Sequence, residues 1–179
     1  MHKKHILLSF LVCTVLLFSA CALPDSETSE WGPHTSLLNR DSDGTEQMLG
    51  QLLSAVETRD IATMQEMFSQ NTAAENPDLE EQISEFLDFF DGTVVSCKFW
   101  GSATSESRDS GVSIKETHAS YDIVTTAGEY RLAMMFYTND NASPENVGMY
   151  SIYIAKAEGT DPEMAFWGDR NWTPGIVIL

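Results

Sequence analysis

The chain has 179 residues, with 27 acidic side chains against 10 basic ones and a formal charge of −17. A field of that sign repels nucleic acid and anionic headgroups, which excludes a polyanionic partner as the natural reading and favours solubility. No stretch of the composition is basic enough to suggest otherwise.

In chain order, Lys3 and Lys4 precede an apolar run over 6–18 that ends in Ser19 and Ala20. Positive, greasy and then small is the order of a signal peptide, here residues 1–20. As a helix the run would reach only about 22 Å, short of the roughly 30 Å hydrocarbon core, so a permanent span is the weaker reading. At the seam, Phe18-Ser19-Ala20-Cys21 resembles the lipobox of bacterial lipoproteins, with Phe18 where that family prefers leucine. The resemblance implies that the Cys21 sulfur receives a diacylglyceryl group and becomes the mature N-terminus. It also implies a cell-membrane location, lipid-anchored and facing outside the cytoplasm. Two acyl chains suit stable anchoring, because each buried methylene contributes only about 0.8 kcal/mol. The alternative is an ordinary secreted protein cut after Ala20.

Losing residues 1–20 removes two lysines and no acid, leaving 8 basic and 27 acidic side chains, a formal charge of −19. Cys97 then stands alone beside an acylated Cys21, so stability must come from an ordinary core rather than a disulfide. Residues 21–41 are rich in Ser, Thr, Pro and acids without a period, and read as a disordered tether, a plain spacer in preference to one that docks through Trp31 and His34. Residues 42–179 are expected to form a single α+β domain.

Three helices are expected first. Asp43 with Glu46 makes a capping box before Met48, Leu49, Leu52, Leu53 and Val56. Asp60 caps a second segment that turns Ile61, Met64, Met67 and Phe68 inward, and Asp78 with Glu81 starts a third with the stripe Leu79, Ile83, Phe86, Leu87 and Phe90. Gly92 is placed as its left-handed cap.

After Gly92 the period changes to two. Four strands follow, with apolar sets Val95, Cys97, Phe99; Ala119, Tyr121, Ile123; Leu132, Met134, Phe136; and Tyr150, Ile152, Ile154. Folding the second and third about Ala127-Gly128 sets Tyr121 opposite Met134; folding the third and fourth about NDNASPEN sets Leu132 opposite Ile154 and Met134 opposite Ile152. Closing the first pair about Arg108 sets Cys97 opposite Ala119, with GSATSESRDSG as a polar, mobile connection. The whole predicts three N-terminal helices packed on a curved four-stranded antiparallel sheet, with the other sheet face solvated.

That order of elements resembles the nuclear-transport-factor-2-like, or cystatin-like, cone fold. The segments DGTVVSCKFWGS, NVGMYSIYIAKAE and TPGIVIL are similar to those of a family of clostridial lipoproteins of unknown function, over roughly residues 46–179. The resemblance implies a fold and a bacterial cell, and carries no activity.

Constellations that suggest chemistry are weak. His118, Ser120 and Asp122 of HASYD share one strand face, but four residues along a strand span about 13 Å, too far for His118 and Asp122 to bond. Cys97 and His118 fall on different faces, which leaves the thiol buried and inert. DSDG at 41–44 lacks the further ligands of a calcium loop, and DFFDG at 88–92 reads as a helix end with solubilising charge. NAS at Asn141 and NWT at Asn171 are each followed by proline and read as turns. No catalytic set, metal or cofactor is expected.

The aromatic set Phe99, Tyr121, Phe136 and Tyr150, with Met134 among them, is the tentative ligand pocket. Trp100 and Trp167 flank the sheet. The favoured function is an extracytoplasmic, lipid-anchored binding module for a small apolar molecule or a peptide. Alternatives are an isomerase or dehydratase on the same fold, with Asp88 the near candidate for its acid, and a homodimer through the outer residues Trp100, Val124 and Tyr137.

Overall fold

The computed structural model describes residues 42–158 and 171–179. The signal segment, Cys21, the tether with Trp31 and His34, and Trp167 lie outside the described residues.

Among the described residues four α-helices precede the sheet where three are expected: α1 (Ser42–Thr58), α2 (Ile61–Met67), α3 (Gln70–Glu75) and α4 (Leu79–Phe89). α1 begins at Ser42, so Asp43 lies inside it rather than ahead of it. Asp60 caps α2 as expected, its carboxylate accepting from the Thr63 amide at 3.0 Å. The additional α3 starts because the Ser69 hydroxyl accepts from the Thr72 amide at 3.1 Å and donates to the Thr72 hydroxyl at 2.9 Å. Asp78 precedes α4 without a side-chain cap bond, and Glu80 and Glu81 instead lie against the positive end of its dipole. Gly92 does adopt a left-handed φ of 86°, but two residues past the helix's C-cap Phe90.

The apolar faces are those the periodicity gives. Leu49, Leu52, Leu53 and Val56 of α1, Met64 of α2 and Leu79, Ile83, Phe86 and Leu87 of α4 are buried in one cluster with the sheet. Each fully buried large side chain contributes about 1.5–3 kcal/mol.

The sheet has five strands in the order β1 (Val94–Asp109), β2 (Val112–Thr125), β3 (Glu129–Asp140), β4 (Gly148–Lys156) and β5 (Gly175–Ile178). β1 to β4 form an antiparallel meander, and β5 adds parallel to β4. β5 is pinned from the helical layer by Gln82 of α4, whose Oε1 accepts from the Ile176 amide at 2.9 Å.

The expected β3–β4 register is the observed one, Leu132 opposite Ile154 and Met134 opposite Ile152. The β2–β3 ladder is displaced by two residues, Tyr121 facing Leu132 and Ala119 facing Met134, which keeps every side chain on its predicted face. Thr125 causes the displacement: its hydroxyl accepts from the Ala127 and Gly128 amides, each at 3.1 Å, and closes the turn one residue early.

The segment read as a mobile polar connection is strand. β1 and β2 pair continuously out to Asp109 and Val112 and reverse at Ser110-Gly111, both at positive φ (50° and 89°). Cys97 therefore faces Ile123, not Ala119. Residues 105–109 of β1 are exposed, so they need no apolar alternation.

Bulges redirect three side chains. The β1–β2 register shifts between Val94 and Ser96 and between Phe99 and Gly101, so Val95 turns out to solvent, Val94 packs on the core in its place, and Trp100 is exposed beneath Lys98. The β3–β4 register shifts between Met135 and Phe136, which brings Met149 opposite Phe136 and leaves Tyr150 unpaired. Met149, not Tyr150, is the inward residue there.

The outer face is also more covered than expected. Ala133, Ser151, Tyr153 and Ala155 are buried on it. Among the described residues, Trp172 and Thr173 lie across it: the Tyr153 hydroxyl accepts from the Thr173 amide at 2.7 Å, and the Trp172 ring meets Tyr153 edge-on at 5.4 Å.

Gly148 sets the start of β4. Its φ is 128°, and a Cβ there would lie 2.9 Å from the Ser69 amide nitrogen and 3.1 Å from the Met67 carbonyl oxygen. The adjacent Met149 carbonyl accepts from that same Ser69 amide at 2.9 Å. We expect Gly148→Ala to cost about 1–3 kcal/mol through backbone strain and this lost approach. Urea unfolding followed by circular dichroism reads it, and an unchanged midpoint would contradict the packing of β4 against the α2–α3 junction.

Candidate functional site

The sheet separates the chemistry-bearing side chains into two groups. On the inner face, Phe99 and Tyr121 are cross-strand partners with ring centroids 5.5 Å apart, and Met134 and Phe136 are wholly buried beside them in the core. Burial, with smaller contributions from Glu46 and Cys97, pushes the Tyr121 phenol up to about 12. Burial likewise pushes the Cys97 thiol up to about 12, so it is a thiol and not a nucleophile at neutral pH. Four of the five expected pocket residues thus sit together, their surfaces occupied by the helical layer. Tyr150 is not with them.

Tyr150 belongs to a second group at one end of the outer face. Glu116 of β2 and Tyr137 of β3 are direct cross-strand partners. Tyr137 in turn faces Gly148 of β4, and the bulge turns Tyr150 toward it, the two phenol rings standing at 87° with centroids 6.2 Å apart. His118, two residues from Glu116 and on the same face, donates from Nε2 to Glu116 Oε1 at 2.6 Å. Its ring lies edge-on to Trp172 at 4.6 Å, and its buried Nδ1 has no hydrogen-bond partner among the described residues.

The electrostatics of this group are those of a carboxylate wedged between an imidazole and a phenol. Desolvation comes first, then the charge of Glu116 and the hydrogen bond donated to it, then Tyr150 and Asp140, and together they push the Tyr137 phenol up to about 12. Tyr150 is also raised, by burial and then by Glu75 and Glu116. Both phenols are neutral donors at neutral pH. Asp140 fixes the nearby turn, accepting from the Ala142 and Ser143 amides at 3.1 and 2.9 Å and from Asn146 Nδ2 at 2.8 Å, which holds its carboxyl below the usual range.

Residues 51–157 match the family model DUF5104, a domain of unknown function. The chain belongs to the DUF5104 family. The matched span runs from within α1 to just past β4, so the DUF5104 domain includes Glu116, His118, Tyr137 and Tyr150, while Trp172 and β5 lie beyond it. No curated protein matches the chain.

Other candidates in the DUF5104 domain are apart from both groups. Asp88 is exposed and ion-paired with Arg59, and Asp91 accepts from the Gly92 amide at 2.8 Å, so the DFFDG carboxylates are separately engaged. Asp122 pairs with Arg131 at 3.5 Å, away from His118. Cys97 and His118 are on opposite faces, with His118 facing Ala103. One open cleft of about 450 Å³ separates α1 from α2, and another of about 600 Å³ lies where Glu129, Arg131, Lys156 and Glu158 alternate at the far end of β3 and β4.

Sequence reasoning missed Glu116 as a partner of His118, and Trp172 altogether. The spacing Glu116-x-His118 on one strand face was the available signal, since residues two apart are side-by-side neighbours.

The raised phenols give a testable sign. Free tyrosine ionises near 10 and Tyr121 and Tyr137 near 12 in the fold, so folding stability is full below 10 and falls as pH rises toward 12. Ultraviolet titration should show both phenols ionising late, and Glu116→Gln should bring Tyr137, and to a smaller extent Tyr150, to lower pH while leaving Tyr121 unchanged. A Tyr137 that titrates at 10 in the wild type contradicts the arrangement. Cys97 should react with iodoacetamide at pH 8 at least about tenfold more slowly in the native protein than in urea, because only the thiolate attacks.

Proposed function

We propose that this DUF5104 protein is a lipid-anchored binding module held outside the cytoplasm, taking a small molecule or a peptide on the outer sheet face at Glu116, Tyr137 and Tyr150. One observation carries the reading: two phenols and a carboxylate–imidazole pair converge from three adjacent strands and remain half-buried, neither packed into the core nor fully solvated. Rigid strands holding a few polar groups beside aromatic faces are what recognition sites share.

The anchor rests on the lipobox-like Phe18-Ser19-Ala20-Cys21, with residues 21–41 as the tether that carries the domain clear of the bilayer. The order of helices followed by a meander supports a curved sheet of the nuclear-transport-factor-2-like cone type and kinship with the clostridial lipoproteins. In this reading the inner set Phe99, Tyr121, Met134 and Phe136 supports the sheet from behind, and the ligand meets its front.

Two measurements test the parts separately. Fractionation should find the wild type with membranes and Cys21→Ser in the soluble fraction; wild type already in the medium contradicts the anchor. A native mass spectrum of the protein from its own host should retain a ligand adduct that Tyr150→Ala loses. An adduct indifferent to Tyr150→Ala and Glu116→Gln contradicts the site.

A further inference from the structure

The edge of β4 is a groove already filled by a polypeptide strand. β5 joins it through four residue pairs, from Ser151 with Gly175 to Ile154 with Ile178. Ahead of β5, Thr173 is held through its backbone: its amide donates to the Tyr153 hydroxyl at 2.7 Å, and its carbonyl accepts from the Ser151 hydroxyl. Ser151 and Tyr153 are almost wholly buried, so packing fixes both hydroxyls in place. The Trp172 ring stands between His118 of β2 and Tyr153 of β4, with centroids at 4.6 and 5.4 Å and edge-to-face geometry on both sides. From the helical layer, Gln82 Oε1 accepts from the Ile176 amide at 2.9 Å, and a Cβ on Gly175 would strike that same oxygen.

These are the means by which proteins take an extended peptide: strand addition supplies affinity, and a ring niche with a position open only to glycine supplies specificity. Hydroxyls and an amide oxygen that bind backbone groups treat a strand alike whether it arrives from the same chain or from another. Gln82, His118, Ser151 and Tyr153 all lie within the span 51–157 that matches DUF5104, while residues 172–178 lie beyond it. The family domain thus supplies the groove, and the C-terminal segment supplies its occupant. Trp172 is seated at a φ of 52°, unfavourable for a bulky residue, so the niche holds it against backbone strain. Residues 171–179, NWTPGIVIL, have no acidic or basic side chain, so this is a segment that one copy of a chain of charge −17 can bring to another without local repulsion.

We propose that the β4 edge of the DUF5104 domain is a strand-accepting groove through which two copies of this chain exchange C-terminal segments, residues 172–178 of each seating on Gln82, Ser151 and Tyr153 of the other. The segment that fits the groove is this chain's own, which makes a second copy the partner. The groove is separate from the Tyr137–Tyr150 corner and stands whether or not that corner holds a ligand.

The probe is the peptide of residues 171–179, acetylated, amidated and labelled with fluorescein, titrated by anisotropy into the full chain in an uncharged detergent. In the wild type the chain's own segment competes at the high effective concentration of a tethered ligand. Trp172→Ala in the protein weakens that competitor, as does Gly175→Val, and circular dichroism with melting identifies which of the two folds. The peptide should bind the folded releasing variant at least about tenfold more tightly than it binds wild type. The same peptide carrying Trp172→Ala or Gly175→Val should bind at least about tenfold more weakly, a comparison that leaves the protein's fold untouched. Sedimentation of the wild type in density-matched detergent should show a dimer that grows with concentration and that excess peptide dissociates. Equal binding of the altered and unaltered peptides, or no gain in a folded releasing variant, overturns the groove. A wild type that stays monomeric at every concentration overturns the second copy as its occupant.

Discussion

A strand serves a helical layer only while alternate residues keep turning toward it, and each extra residue in one strand of a pair resets that alternation. The ladders of this sheet are reset four times, near Val95, Trp100, Thr138 and Tyr150. Between the resets the inner face is continuous from Cys97 through Ile123, Leu132 and Ile154 to Ile176. At the resets, side chains that would have entered the core are delivered elsewhere. The core is thus the fixed quantity, and the bulges decide what stands outside it.

The site follows from this. Placing Met149 in the core opposite Phe136 requires Tyr150 to leave it, and the face it joins already holds Tyr137 and Glu116. Gly148 permits the change of direction, because its left-handed φ and missing Cβ let β4 start directly against Ser69 and Met67. The helical layer and the strand start are joined here: Ser69 caps α3, and its amide donates to the carbonyl of Met149, the residue before Tyr150.

Much of the fold was legible in the sequence where burial alone decides. The stripes of α1 and α4 and the Leu132–Ile154 and Met134–Ile152 pairs follow from period and volume, and a one-residue slip would turn the strand residues out to solvent. The bulges were not legible, since a two-for-one insertion leaves no mark on an alternating pattern beyond one side chain of unexpected polarity. Val95 and Tyr150 looked like core residues for that reason. The polar run of β1 looks like a connection in the sequence because strand signals are burial signals, and the exposed outer part of β1 has nothing to bury. Of the candidate site, His118 was legible as an outer-face strand residue and Glu116 beside it was missed, while their meeting with Tyr137 and Tyr150 depends on where Thr138 and Tyr150 slip out of register.

The most direct test of the account is a nuclear Overhauser spectrum of protein with selectively labelled tyrosine, phenylalanine and methionine. Contacts from the Tyr150 ring to Tyr137, and from the Met149 methyl to the Phe136 ring, are the predicted result. Contacts from Tyr150 to Phe136 or Met134 would contradict it, because they would return Tyr150 to the core and dissolve the corner on which binding depends.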